Sequence, residues 1–381
     1  MDRPQRPVRR WPAITATVLL GLVAAVWAVL PDGRAARVER IADCYDPAAL
    51  PKVETLADGR KAMRLRVLLW NVEGLPWPIR SGREPKLAKI ADWIAKRRKA
   101  GDGPDILILH KAFTPEASRI ATAAGFRSIL PGPAVDRPRH SLVPIPREGH
   151  AEAGRWWKGE GVGKWLDSGL YVATDLPLLK ATREQTLPAY ASEAFYAGSC
   201  AGYDCLSNKG GMIARLALPG APQPLTIFNT HRNSREPSGV SVARAEAAHV
   251  MQTLENDALL HAFDDKAALI AAGDFNNYRA GDKTGRFAGD PAFRLAAKGP
   301  HLTARAAPMT DAKAWADAYD LFGYRSSAAL TVEPLAVATL FDGKNGPVLS
   351  DHAAQYVTFR ISWRADARPV PVALKTCPIR K

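Results

Sequence analysis

Four short polar clusters stand behind apolar runs in this chain, and each carries residue types that handle phosphate or move protons. Leu68-Leu69-Trp70 runs into Asn71 and, past Val72, Glu73. Ile227-Phe228 runs into Asn229, Thr230 and His231. Ala271-Ala272 runs into Gly273, Asp274, Phe275 and Asn276, and Leu349 into Ser350, Asp351 and His352. Carboxamides can position phosphoryl oxygens, and carboxylates orient a base or ligate a hard cation. His352 is the best general base, because an imidazole titrates near neutral pH. Taken singly, each cluster reads as a turn. Four of them behind buried strands point to one assembled site, since strand ends hold side chains rigidly while leaving them accessible.

The elements that must position these residues follow from apolar spacing. Strands are expected at 64–71, 105–109, 169–173, 211–216, 225–230, 267–272, 337–341 and 355–361. Helices are expected at 85–98, where Pro85 suits a first turn, at 115–124 and at 240–262. Residues 131–166, rich in Pro, Gly, Arg and Trp, form the longest irregular stretch, which length alone marks as functional or disordered. Its Trp156, Trp157 and Trp165 suit a membrane–water interface, or else pack back on the core. No composition break separates two domains and no internal repeat occurs, so the body reads as one α+β domain.

In this order the clusters resemble the endonuclease/exonuclease/phosphatase superfamily, which includes pancreatic deoxyribonuclease, apurinic endonucleases and neutral sphingomyelinases. The resemblance covers about residues 64–362 and rests chiefly on Gly273-Asp274-Phe275-Asn276 and Ser350-Asp351-His352. Asn229-Thr230-His231 and Trp70-Asn71 add to it, and the Asn208-Lys209-Gly210 stretch is similar to the sphingomyelinase branch. It implies a four-layer α/β/β/α sandwich with two mixed β-sheets, and a phosphodiester hydrolase dependent on Mg²⁺ or Mn²⁺. Its substrate would be a phospholipid headgroup or nucleic acid, with no protein partner implied. Asp274 would support the base or the attacking water, while Asn71, Asn276 and Asn229 would hold the substrate. A cationic His231 would stabilise transition-state charge or protonate the leaving group, and Asp351 would ligate the metal.

One position departs from that pattern. Where the family carries Gln-Glu, with the Glu as principal metal ligand, this chain reads His110-Lys111. An ammonium about 4 Å from a cation is repelled by ~4 kcal/mol at an effective dielectric of roughly 20. Three readings are open. Glu73, on the same face of a regular strand as Asn71, supplies the missing carboxylate; or Lys111 itself stands against the phosphate as a fixed charge; or the domain binds phosphate ligands without turnover.

The formal net charge of +14 over 381 residues suits phosphate-bearing partners or simply a basic surface. Arg3, Arg6, Arg9 and Arg10 precede an uncharged apolar stretch, which reads as a signal anchor or signal peptide over residues 1–31. Residues 12–31 would tether the protein to an inner or plasma membrane, with the body on the extracytoplasmic, periplasmic side, or secreted if the signal is cleaved. Residues 32–62 read as a linker and 63–381 as the domain. Cys44, Cys200, Cys205 and Cys377 suit two disulfides in an oxidising compartment. Pairing 44 with 377 and 200 with 205 is the simplest of three connectivities.

Overall fold

The computed structural model describes residues 37–136, 149–150, 153–179, 190–193, 198–262, 266–276, 294–295, 304–305, 319–372 and 374–378. The proposed anchor, residues 12–31, lies outside them. Among the described residues no helix is long and apolar enough to cross a membrane.

Two mixed sheets face each other. The first contains β1 (Lys61–Gly74), β2 (Ile106–Ala112), β3 (Ser128–Pro131), β4 (Tyr171–Thr174), β10 (Thr331–Leu340) and β11 (Ala354–Trp363). Its order is Ala304–Arg305, β10, β11, β1, β2, β4, β3, with Val53–Thr55 paired along the start of β1. The second contains β5 (Tyr190–Glu193), β6 (Gly211–Leu216), β7 (Leu225–His231), β8 (Ala268–Asp274) and β9 (Asp320–Arg325). Its order is Arg294–Leu295, β9, β8, β7, β6, β5. Neighbours β1 and β2 run parallel, as do β7 and β8.

Period-2 alternation sorts each strand between two hydrophobic clusters. Leu65, Val67 and Leu69 of β1 and Ile106 and Ile108 of β2 face between the sheets, against Ile227, Ile270, Phe322 and Phe359. Their alternates Leu68, Trp70, Leu107 and Leu109 face outward, onto helix α1 (Glu84–Lys99) and the short helices α2 (Pro115–Ser118) and α3 (Ile120–Ala123). On the far side, α4 (Val242–Ala262) lays Leu259 and Leu260 against Phe228, Leu269 and Ala271. The layers are helix, sheet, sheet, helix, as the resemblance implies.

Helix α1 has Leu87, Ile90 and Ile94 as its buried stripe and four basic residues in its last turn, where they complement the helix dipole. The sequence pattern misses β3, β5, β9 and the front half of β10. Residues 37–62 lie on the body and pair with it. Arg40 bridges to Ile129 and Cys44–Tyr45 pairs with Lys375–Thr376. Disulfides Cys44–Cys377 and Cys200–Cys205 are both present.

Candidate active site

At one end of the inter-sheet core, the inward positions change from apolar to polar while keeping their alternation. On β1, Leu65, Val67 and Leu69 are followed by Asn71; on β2, Ile106 and Ile108 by His110. On β7, Leu225 and Ile227 lead to Asn229 and His231, and on β8, Ala268, Ile270 and Ala272 lead to Asp274. Strand β9 runs antiparallel to β8, so its first residue meets the last of β8, pairing Asp320 with Asp274 in register.

These side chains converge. Asn71 Nδ2 donates to Asp274 Oδ2 at 3.0 Å, and His231 Nε2 lies 3.3 Å from the same oxygen. His352 Nδ1 sits 2.5 Å from Asp320 Oδ2 and 3.9 Å from Asp274 Oδ2. His110 Nε2 lies 2.6 Å from Asn229 Oδ1, and its ring stacks on His231 with centroids 5.4 Å apart. Its Nδ1 faces Asp320 Oδ1 at 3.9 Å. The loop carrying His352 is pinned at both ends of the cluster: Ser350 Oγ donates to the Asn71 carbonyl at 2.5 Å, and Trp70 Nε1 to the His352 carbonyl at 3.2 Å. Asn276 caps the edge, its Nδ2 donating to the Arg232 carbonyl at 3.0 Å.

Burial and charge set the protonation states. Burial alone would lower the pKa of His352, but the carboxylates of Asp320 and Asp274 overcome it and lift the value to about 9. Burial dominates at His110 and His231 and lowers both, with Lys209 adding to the effect at His231. The imidazole expected to be cationic is therefore neutral in the free protein, fit to donate or accept one hydrogen bond. Asp320 is raised, chiefly by its burial.

The structure does not bring Glu73 to this cluster. Between Asn71 and Gly74, β1 carries one residue more than the matching stretch of β2, a bulge that re-aims the residues after it. Glu73 takes φ 53, and its carboxylate meets Arg80 Nε at 2.7 Å and Arg83 Nη1 at 3.3 Å. The face shared by Asn71 and Glu73 in a regular strand is lost here. Lys111, with φ 50, turns its ammonium to Asp351 Oδ2 at 3.0 Å. Asn276 also has φ 50. Left-handed backbone at three non-glycine residues around one site costs of order 1–3 kcal/mol each, a strain that surrounding structure has to hold.

Among the described residues, two groups of donors could hold a divalent cation: His110, His231 and Asp274, and Asp274, Asp320 and His352, each with ligand atoms within 4.8 Å of one another. Magnesium prefers an octahedral shell of oxygens, and both groups offer imidazole. The carboxylates expected to hold it, Asp351 from the resemblance and Glu73 from strand geometry, already face cations: Glu73 the two arginines and Asp351 the lysine. The residues present do not fit that magnesium site.

Beside the cluster, Lys209 is buried with its ammonium 2.7 Å from Asp204 Oδ1 and 3.3 Å from the Arg232 carbonyl. Sequence reasoning assigned no role to His110 or Asp320. The available signal was alternation: Ile106, Ile108, His110 on one strand, and Asp320, Phe322, Tyr324 on the other.

No family model and no curated protein sequence matches the chain. Solved structures match its fold. A beta toxin mutant from Staphylococcus aureus with bound magnesium ions aligns at 15% identity, over 77% of this chain and 99% of its own, with a TM-score of 0.50. Sphingomyelinase C from Streptomyces griseocarneus aligns at 19% identity over 77% and 99%, with a TM-score of 0.48. The human Nocturnin catalytic domain with bound sulfate aligns at 18% over 79% and 97%, with a TM-score of 0.42. The fold is thus like that of the beta toxin.

Proposed function

We propose that the chain is a phosphodiester hydrolase whose general base is His352. The observation that carries this reading is the His352–Asp320 pair at 2.5 Å, set against Asp274, His231 and Asn71 at the polar end of the core. Asp320 occupies Nδ1 and leaves Nε2 to take a proton from water. The water oxygen then bonds to phosphorus, one ester P–O bond breaks, and the departing oxygen takes up a proton. Asn71 and Asn276 offer amide donors to phosphoryl oxygens, and neutral His231 donates a hydrogen bond to the charge that develops there. Asn229, bonded to His110, positions that imidazole behind His231.

The substrate is proposed to be an extracytoplasmic phosphodiester, a phospholipid headgroup before a nucleic acid. Supporting this, Trp156 and Trp157 are 71% and 59% exposed beside Lys158, an arrangement suited to a headgroup layer. Two disulfides suit an oxidising compartment, and residues 12–31 would supply the tether. A non-catalytic phosphate-binding module is the second reading, favoured by the pairing of Glu73 and Asp351 with cationic side chains. Turnover of bis(p-nitrophenyl) phosphate or sphingomyelin that disappears in His352→Ala supports the hydrolase. Phosphate binding with no turnover supports the module.

A further inference from the structure

The lysine at the end of β2 sits inside an arrangement of opposite charge. Its ammonium is 3.0 Å from Asp351 Oδ2, and the carboxylates of Asp274 and Asp320 also act on it. Asp351 directly precedes His352 in the chain, so the ammonium is bonded to the neighbour in sequence of the proposed base. On the other side of the bulge, Glu73, the carboxylate that could have drawn a metal ion here, is held by Arg80 and Arg83. A divalent ion at Asp351 would have to displace the ammonium or sit against it. Lys111 is neither a core residue nor a free surface one: its side chain is 19% exposed, open enough to reach an incoming anion. An ammonium on a flexible stem is a compact charge with three donors that can turn from one oxygen to another. Left-handed backbone at a residue other than glycine persists only where surroundings enforce it, and here the enforced geometry places that ammonium.

We propose that Lys111 is the resident cation of the phosphate site. In the free protein it neutralises Asp351, and on binding it turns to a non-bridging phosphoryl oxygen, so the anion is held with no divalent ion at Asp351. The inference takes its ligand class from the phosphodiester reading, but its test does not depend on turnover.

Binding of inorganic phosphate to the whole protein would be measured by calorimetry in chelator and again in excess Mg²⁺. The wild type is expected to bind phosphate equally in both. Lys111→Met should weaken binding by roughly tenfold or more in both media, since the variant lacks the point charge. Lys111→Glu should lose binding in chelator and regain it with Mg²⁺, together with a Mg²⁺-induced rise in Tm that the wild type lacks. Wild-type binding that requires Mg²⁺, or unchanged affinity in a Lys111→Met protein of normal Tm, would overturn the proposal. Phosphate held through Lys111 without diester turnover would sink the hydrolase reading and keep this one. Mg²⁺-dependent hydrolysis by the wild type, with phosphate binding that needs the ion, would do the reverse.

Discussion

Asp320 holds the Nδ1 proton of His352 in place and favours the doubly protonated ring, so the chemistry proposed for it starts only when the proton on Nε2 leaves. With the imidazole lifted to about 9, hydrolysis should rise with pH and level off above that value. Asp320→Asn removes the main influence raising the imidazole, so the inflection should move to lower pH and the plateau rate should fall. A pH–rate profile of each protein measures both, and an inflection that stays in place would show that Asp320 does not tune the base. The same pair affects stability. The folded value lies above the ordinary 6.5, so its contribution is complete below 6.5 and is lost as pH climbs through about 9. Urea unfolding at pH 6 and pH 10 would show it as a smaller loss in Asp320→Asn than in the wild type. The dyad itself was half legible. His352 stands out in Ser350-Asp351-His352, but its partner lies 32 residues away and only strand pairing delivers it.

At the scale of elements, the bulge in β1 decides which carboxylate enters the site. Arg83 secures it: one nitrogen donates to the Val72 and Leu349 carbonyls at 2.8 and 2.7 Å, and another to the Glu73 carbonyl at 3.1 Å. Buried guanidinium groups with this many partners are costly to remove. Arg83→Met is expected to destabilise the fold by roughly 3 kcal/mol or more, because three carbonyls lose their donor and Glu73 keeps only Arg80. Chemical denaturation measures this. A change under about 0.5 kcal/mol, the size of an ordinary surface substitution, would mean that the arginine does not pin the bulge. The alternation Leu65, Val67, Leu69, Asn71 was readable in the sequence because it is local and periodic. The bulge was not readable, since neither Glu73 nor Lys111 is a glycine that would flag left-handed backbone. Strand β9 hides a regular pattern, Asp320, Phe322, Tyr324, behind a Gly at 323 that weakens its strand signature.

Across the whole molecule, the site is a seam between two sheets, so its geometry depends on holding the sheets together. Cys44–Cys377 joins segments 333 residues apart at the edge of the structure, and Cys44–Tyr45 pairs with Lys375–Thr376 beside it. Replacing both cysteines by serine should cost roughly 2–5 kcal/mol, mostly through the unfolded chain. Because the bridge lies away from the seam, the pH dependence of turnover should be unchanged at temperatures where the variant is folded. Comparing its unfolding midpoint with its pH–rate profile separates the two effects, and an altered profile would place the bridge in the site's support. The layer order was implied by the resemblance, and the mixing of strands and helices along the chain only permitted it. The lead-in at residues 37–62 was not, because Cys44–Tyr45 pairs with the distant Lys375–Thr376 and Arg40 bridges to Ile129, contacts that no local pattern signals.

The most direct measurement is hydrolysis of bis(p-nitrophenyl) phosphate by the purified protein beside His352→Ala, each in chelator and in Mg²⁺. Turnover by the wild type should fall in the variant by roughly a hundredfold or more, the loss expected for a general base. Equal rates in the two proteins, or no phosphodiester turnover by the wild type in either medium, would contradict it.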